Sequence, residues 1–123
     1  DVLVYSTPPL TEPLEVTGEV NAELWVSTSA TDTDFAAKLI DVEPNGYAAP
    51  VAEGVLRLRY RDSFVDPKPA EPGKAYRITV NLGPTGNTPH VPSSSPVRLS
   101  AAAVSTSPLA RAAASANAVA AIP

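Results

Sequence analysis

Serine catalysis needs three side chains brought together: a hydroxyl, a histidine to take its proton, and a carboxylate to hold the histidine. The chain has one histidine, His90, with Ser93, Ser94 and Ser95 just behind it. All four lie among Pro89, Pro92 and Pro96. Neighbours in such a proline-bound loop cannot converge as a triad does, and no Gly-x-Ser-x-Gly elbow occurs in the chain. His90 is therefore expected to be a solvent-exposed loop residue. Cysteine is absent, which removes thiol catalysis, disulfides and thiolate metal sites. The expectation is a chain with no catalytic residues and no cofactor of its own.

Three further groups could bind rather than react. Asp32 and Asp34, with Thr31 and Thr33, could supply a few of the roughly six oxygens that calcium requires. The favoured expectation is a turn whose side chains bond nearby backbone amides, because a β-prone run starts at Phe35. Arg57, Arg59 and Arg61 alternate with Leu56, Leu58 and Tyr60, so on a strand they would form one basic face. Pairing with Glu23, Asp41 or another acid across a sheet ranks first for that face. Docking on a neighbouring domain ranks second, and gripping a carboxylate or phosphate third. Trp25 points away from Leu24 and Val26, and packing against a neighbouring domain explains it more easily than sugar stacking. Trp25, Asp34, Phe35, Arg57, Arg59, Tyr60 and Arg61 are thus the candidate docking or structural residues.

The elements that carry these residues read as strands. Val20, Ala22, Leu24 and Val26 alternate with Asn21, Glu23, Trp25 and Ser27, the period of a half-buried strand over 20–28. Further strands are expected at 2–6, 34–42, 54–61, 75–82 and 97–104. Asn45-Gly46 after the third run tolerates the positive φ of a tight turn, so 34–42 and the strand after it should form a hairpin. The 14 prolines fall mostly between the runs, as punctuation. Short strands with regular turn signals predict an all-β sandwich. Before residue 100 no segment has a helical period. The alanine-rich stretch beyond it suggests a weak helix over 108–122 or a frayed tail. The expected division is a sandwich over 1–107 and a tail over 108–123.

With 123 residues the chain is long enough for one domain with a sizeable core. Its formal net charge of -4 and lack of a basic patch argue against a nucleic-acid partner. No apolar run approaches the ~20 residues of a membrane-spanning helix. The N-terminal Asp1-Val2-Leu3-Val4-Tyr5 is not a signal peptide and reads as the middle of something. The lack of cysteine is compatible with a reducing compartment.

Several motifs stand in order along the chain: Asp1-Val2-Leu3-Val4-Tyr5-Ser6-Thr7-Pro8-Pro9-Leu10, Leu14-Glu15-Val16-Thr17-Gly18, Ala22-Glu23-Leu24-Trp25-Val26-Ser27 and Asp32-Thr33-Asp34-Phe35-Ala36-Ala37-Lys38-Leu39-Ile40-Asp41-Val42. They are followed by Gly54-Val55-Leu56-Arg57-Leu58-Arg59-Tyr60-Arg61 and Glu71-Pro72-Gly73-Lys74-Ala75-Tyr76. Together, over residues 1–87, these resemble the C-terminal domain of the cocaine-esterase and Xaa-Pro dipeptidyl-peptidase hydrolases. The resemblance implies a jelly-roll, galactose-binding-like β-sandwich that packs against an α/β-hydrolase domain carrying a Ser-His-Asp triad. It also implies that this catalytic domain lies upstream, that the family domain begins before Asp1, and that the chain is a fragment. A missing strand leaves its neighbour with unpaired backbone groups and an uncovered apolar face, so the chain alone is expected to be marginally stable and prone to associate with copies of itself.

Beyond residue 87 the chain departs from that family. The Gly-His-Arg turn and the Ser-Ser-Ser-x-Phe-Pro run are missing, and composition shifts at the same place. A change of reading frame near Asn87 or Thr88 is one expectation, true divergence the other. Two alternatives to an accessory hydrolase domain follow: a stand-alone carbohydrate-binding module resting on Trp25, and an inactive product with a frameshifted C-terminus.

Overall fold

Alternating apolar residues leave each strand with one face that must be covered, and two sheets face to face cover each other. The computed structural model describes residues 2–9, 18–85, 97–104 and 112–116. Among these, the strands are β1 (Val2–Ser6), β2 (Gly18–Thr28), β3 (Asp34–Val42), β4 (Ala48–Arg57), β5 (Tyr76–Thr85), β6 (Val97–Val104) and β7 (Ala112–Ala116). One sheet has the order β1-β6-β3-β4 and the other β5-β2-β7. All pairings are antiparallel. The chain is all-β, as the alternation predicts.

The core lies between the sheets. Ala22, Leu24 and Val26 of β2 and Ile78, Val80 and Leu82 of β5 meet Phe35 and Ala37 of β3 and Leu56 of β4. These are the residues that the period of two assigns to inner faces. Tyr5 and Leu39 pack against the edge of the cluster. Burial of large apolar side chains, at roughly 1.5–3 kcal/mol each, is the main favourable term.

The hairpin forms where Asn45-Gly46 places it. Gly46 has φ 89°, and its N–H donates to the Glu43 carbonyl at 2.8 Å. β4 then runs from Ala48 through Pro50, earlier than residue 54. A proline inside a strand is tolerated there because β4 is an edge of its sheet.

Two expectations are corrected. Residues 54–61 are not one strand: β4 stops at Arg57, and Leu58–Tyr60 form a 3-10 turn. Past the Asp34–Arg57 pair the chain runs out of β3 and meets the β2–β3 loop instead. There the Leu58 N–H donates to the Thr33 carbonyl at 2.9 Å, and the Arg59 N–H donates to Asp32 Oδ1 at 3.0 Å. The second correction is in the alanine-rich stretch. Residues 112–116, expected to be helical or frayed, form a strand along the free edge of β2, with Leu24 opposite Ala116 and Thr28 opposite Ala112. An open edge offers unpaired backbone groups, and satisfying them outweighs the modest helix propensity of alanine.

Candidate functional site

The candidate residues gather where the β2–β3 loop meets the chain leaving β4. Asp34 and Arg57 are direct cross-strand partners, and their side chains form a two-point pair, Nε to Oδ1 at 2.8 Å and Nη2 to Oδ2 at 3.1 Å. The hydrogen bond from Arg57 is the main reason the Asp34 carboxyl is held below the usual carboxylate range. Asp32 closes a second ring with Arg59, accepting its backbone N–H on Oδ1 and its Nε at 2.6 Å on Oδ2. Asp32 thus bonds a backbone amide, as the turn expectation requires, but one 27 residues away rather than within its own turn.

Arg61 does not share a face with the other two. Its side chain is 9% exposed and lies over the Tyr76 ring, 4.3 Å from the centroid. Nη1 donates to the carbonyls of Leu58 at 3.1 Å and Lys68 at 2.6 Å. The basic face expected of one strand is therefore dispersed: one arginine on a strand edge, one in a turn, and one folded inward as a clamp. Glu23 pairs with Arg77 at 2.5 Å, not with Arg57 or Arg59. Asp41 takes part in no ion pair among the described residues. It is 8% exposed, its Oδ1 has no hydrogen-bond partner there, and burial, with Glu43 nearby, pushes its carboxyl up.

Chemically, Arg57 and Arg59 are already engaged by Asp34 and Asp32, so this arrangement braces the fold rather than presenting free charge to an anion. No group of three or more metal-ligating side chains occurs among the described residues. Phe35 is a core residue. Tyr60 is half-buried, and its ring stacks on Phe64 with centroids 5.8 Å apart. Trp25 is 51% exposed on the outer face of β2, opposite Arg77. His90 and Ser93 to Ser95 lie outside the described residues.

The sequence reasoning passed over the tip of the loop that Arg61 clamps. Phe64 is 79% exposed and Val65 94%. An aromatic and a β-branched residue side by side between Asp62-Ser63 and Asp66-Pro67 was the available signal, since such loops are ordinarily polar.

The described residues form an all-β sandwich in which Asp34 and Asp32 tie the β2–β3 loop to Arg57 and Arg59. The chain belongs to the family of X-Pro dipeptidyl-peptidase C-terminal non-catalytic domains, whose model matches residues 1–92. It is 51% identical over 87 residues to the cocaine esterase of Rhodococcus sp. (strain MB1 Bresler), covering 71% of this chain and 15% of that enzyme. Among solved structures it is similar to an alpha-amino acid ester hydrolase, with TM-score 0.77 and 35% identity over 89% of this chain and 19% of that one. It is also similar to an aminopeptidase of a marine-sediment Thaumarchaeota archaeon, with TM-score 0.74 and 33% identity over 87% and 19%. The chain thus spans less than a fifth of the length of each of these relatives.

Proposed function

We propose that this domain braces the α/β-hydrolase domain of a larger serine hydrolase and walls part of its substrate cleft, and that the hydrolase cleaves esters. The observation that carries the reading is the match to a non-catalytic domain family over residues 1–92. The preference for esters over Xaa-Pro peptides rests on the 51% identity to an esterase and the 35% identity to an ester hydrolase. In this reading the domain contributes no attacking group. It contributes rigidity, which keeps reacting groups elsewhere in register, where displacements of about 1 Å cost up to ~100-fold in rate.

The test is a graft. The matched segment of the Rhodococcus cocaine esterase is deleted in one variant and replaced by the full 123-residue chain in another. The expected result is an esterase that inactivates quickly on heating without the segment and regains heat resistance with the graft. The chain by itself is expected to hydrolyse neither a p-nitrophenyl ester nor a Gly-Pro chromogenic substrate. A graft no more durable than the deletion, or turnover by the chain alone, overturns the reading.

A further inference from the structure

We infer that the loop bearing Phe64 and Val65 is the anchor by which this domain docks, and that its receptor is an apolar pocket with a polar rim on the attached hydrolase domain. The inference rests on the accessory-domain reading and adds to it a surface and a receptor chemistry. Phe64 and Val65 are the most exposed large apolar side chains among the described residues. Leaving both in water is unfavourable relative to burial, and a fold gains nothing by it unless something covers them.

The loop is built to hold them out. At its base, Arg61 ties the Leu58 and Lys68 carbonyls together, and the Lys68 N–H donates to the Arg59 carbonyl at 2.8 Å. Arg61 is itself fixed on Tyr76, whose hydroxyl accepts the Glu71 N–H at 2.9 Å. At the tip, Ser63 Oγ accepts the N–H groups of Val65 and Asp66 at 3.1 and 3.3 Å. Stacking on Tyr60 sets the orientation of the Phe64 ring. The conformation of the tip is therefore fixed before any partner arrives. An aromatic anchor with its ordering entropy already lost is what makes a contact strong for its area.

The partner's chemistry follows from shape and charge. A protruding tip needs a concave receptor. Asp62 and Asp66, both exposed, flank the apolar pair, with Arg61 Nε 3.9 Å from the one and Lys68 Nζ 4.0 Å from the other, so the flanks are charged but balanced and the rim of the receptor should be polar. The occupant is the attached hydrolase domain because, in relatives of which the matched segment is less than a fifth, that segment has the rest of the enzyme as a covalent neighbour. A tether raises the effective concentration of that neighbour to the millimolar range, enough for a single loop contact to be populated.

The graft supplies the test. The chain has no cysteine, so Phe64→Cys places one thiol at the tip, and its labelling is followed by mass spectrometry of that peptide. Labelling should be fast in the isolated chain and at least about tenfold slower in the graft, because reaction with a thiol reagent requires access. Tyr47→Cys and Val55→Cys, placed on the hairpin turn and on the outer face of β4, should label equally fast in both. Phe64→Asp with Val65→Asp should leave the denaturation midpoint of the isolated chain unchanged and shorten the heat-inactivation half-life of the graft.

A heat-resistant graft in which Phe64→Cys labels as fast as in the isolated chain overturns the anchor and leaves the accessory reading intact. Protection at Val55→Cys instead moves the interface to a sheet face and also overturns it. Equal protection at Tyr47→Cys reports self-association, and an isolated chain destabilised by the double aspartate shows that the pair serves its own fold. Either result defeats the proposal. A graft that gains no heat resistance defeats the accessory reading itself.

Discussion

Gly54 of β4 sits directly against the backbone of Asn81 in β5, across the seam between the two sheets. A Cβ at Gly54 would overlap the Asn81 carbonyl oxygen and lie 2.8 Å from its carbonyl carbon and 3.1 Å from Leu82 Cα. Backbone atoms cannot swing aside as a flexible side chain can. Gly54→Ala is therefore expected to force β4 and β5 apart and destabilise the chain by about 1–3 kcal/mol, the usual range for overpacking. Gly46→Ala provides the comparison. It meets nothing within 4 Å, so its cost, roughly 1 kcal/mol, should come from its positive φ alone. Urea midpoints of the two variants at a common slope check both values.

Leu24 and Trp25 are adjacent in sequence and lie on opposite faces of β2. Leu24 is fully buried in the core, so Leu24→Ala should cost about 2–5 kcal/mol. Trp25→Ala, on a half-exposed side chain, should cost the isolated chain less than about 1 kcal/mol. Chemical denaturation of the two variants side by side measures the contrast. Similar losses would mean that Trp25 is packed within this domain.

Asp32 is expected to be the residue on which the placement of the Arg59 turn depends most. Asp32→Ala leaves the Arg59 amide without its acceptor and should cost about 1–3 kcal/mol, the penalty for an orphaned, partly buried donor. Asp32→Asn keeps an oxygen facing that amide and should lose less. Hydrogen exchange at the Arg59 amide should accelerate in the alanine variant more than in the asparagine one.

Acid should act in opposite senses on Asp34 and Asp41. The Asp34 carboxyl is held low, chiefly by the Arg57 hydrogen bond, so its contribution is present above its unfolded value of 3.8 and is lost as pH falls through the folded value. The Asp41 carboxyl is pushed up by burial and by Glu43. Its contribution is therefore greatest below 3.8 and is lost as pH rises through the folded value. Asp41→Asn should accordingly raise the thermal midpoint at neutral pH, with the gap closing toward pH 3. A gap that widens in acid would show that Asp41 has a cationic partner.

The strands were legible in the sequence because burial on one face of a sheet imposes a period of two. Residues 20–28 and 75–82 show that period, and Leu24, Val26, Ile78 and Val80 took their places in the core as it predicts. The hairpin turn was legible because Asn-Gly admits a backbone that few other pairs do. Family membership followed from the ordered motifs over residues 1–87.

Partners that are remote in sequence were decided only by tertiary structure. The run 54–61 alternates well enough to be a strand throughout, yet it ends at Arg57 because β3 begins at Asp34 and offers no ladder beyond it. Which acid each arginine meets depends on register and loop path. For that reason Arg57 found Asp34, Arg59 found Asp32, and Arg61 found two carbonyls and an aromatic ring, with its sequence neighbour Asp62 at 3.9 Å. The strand at 112–116 exists because β2 has an open edge, which the propensity of an alanine run does not report. The exposure of Phe64 and Val65 likewise appears only after folding. Hydrophobicity sets the free energy of leaving a side chain in water, whereas the rest of the chain determines whether anything covers it.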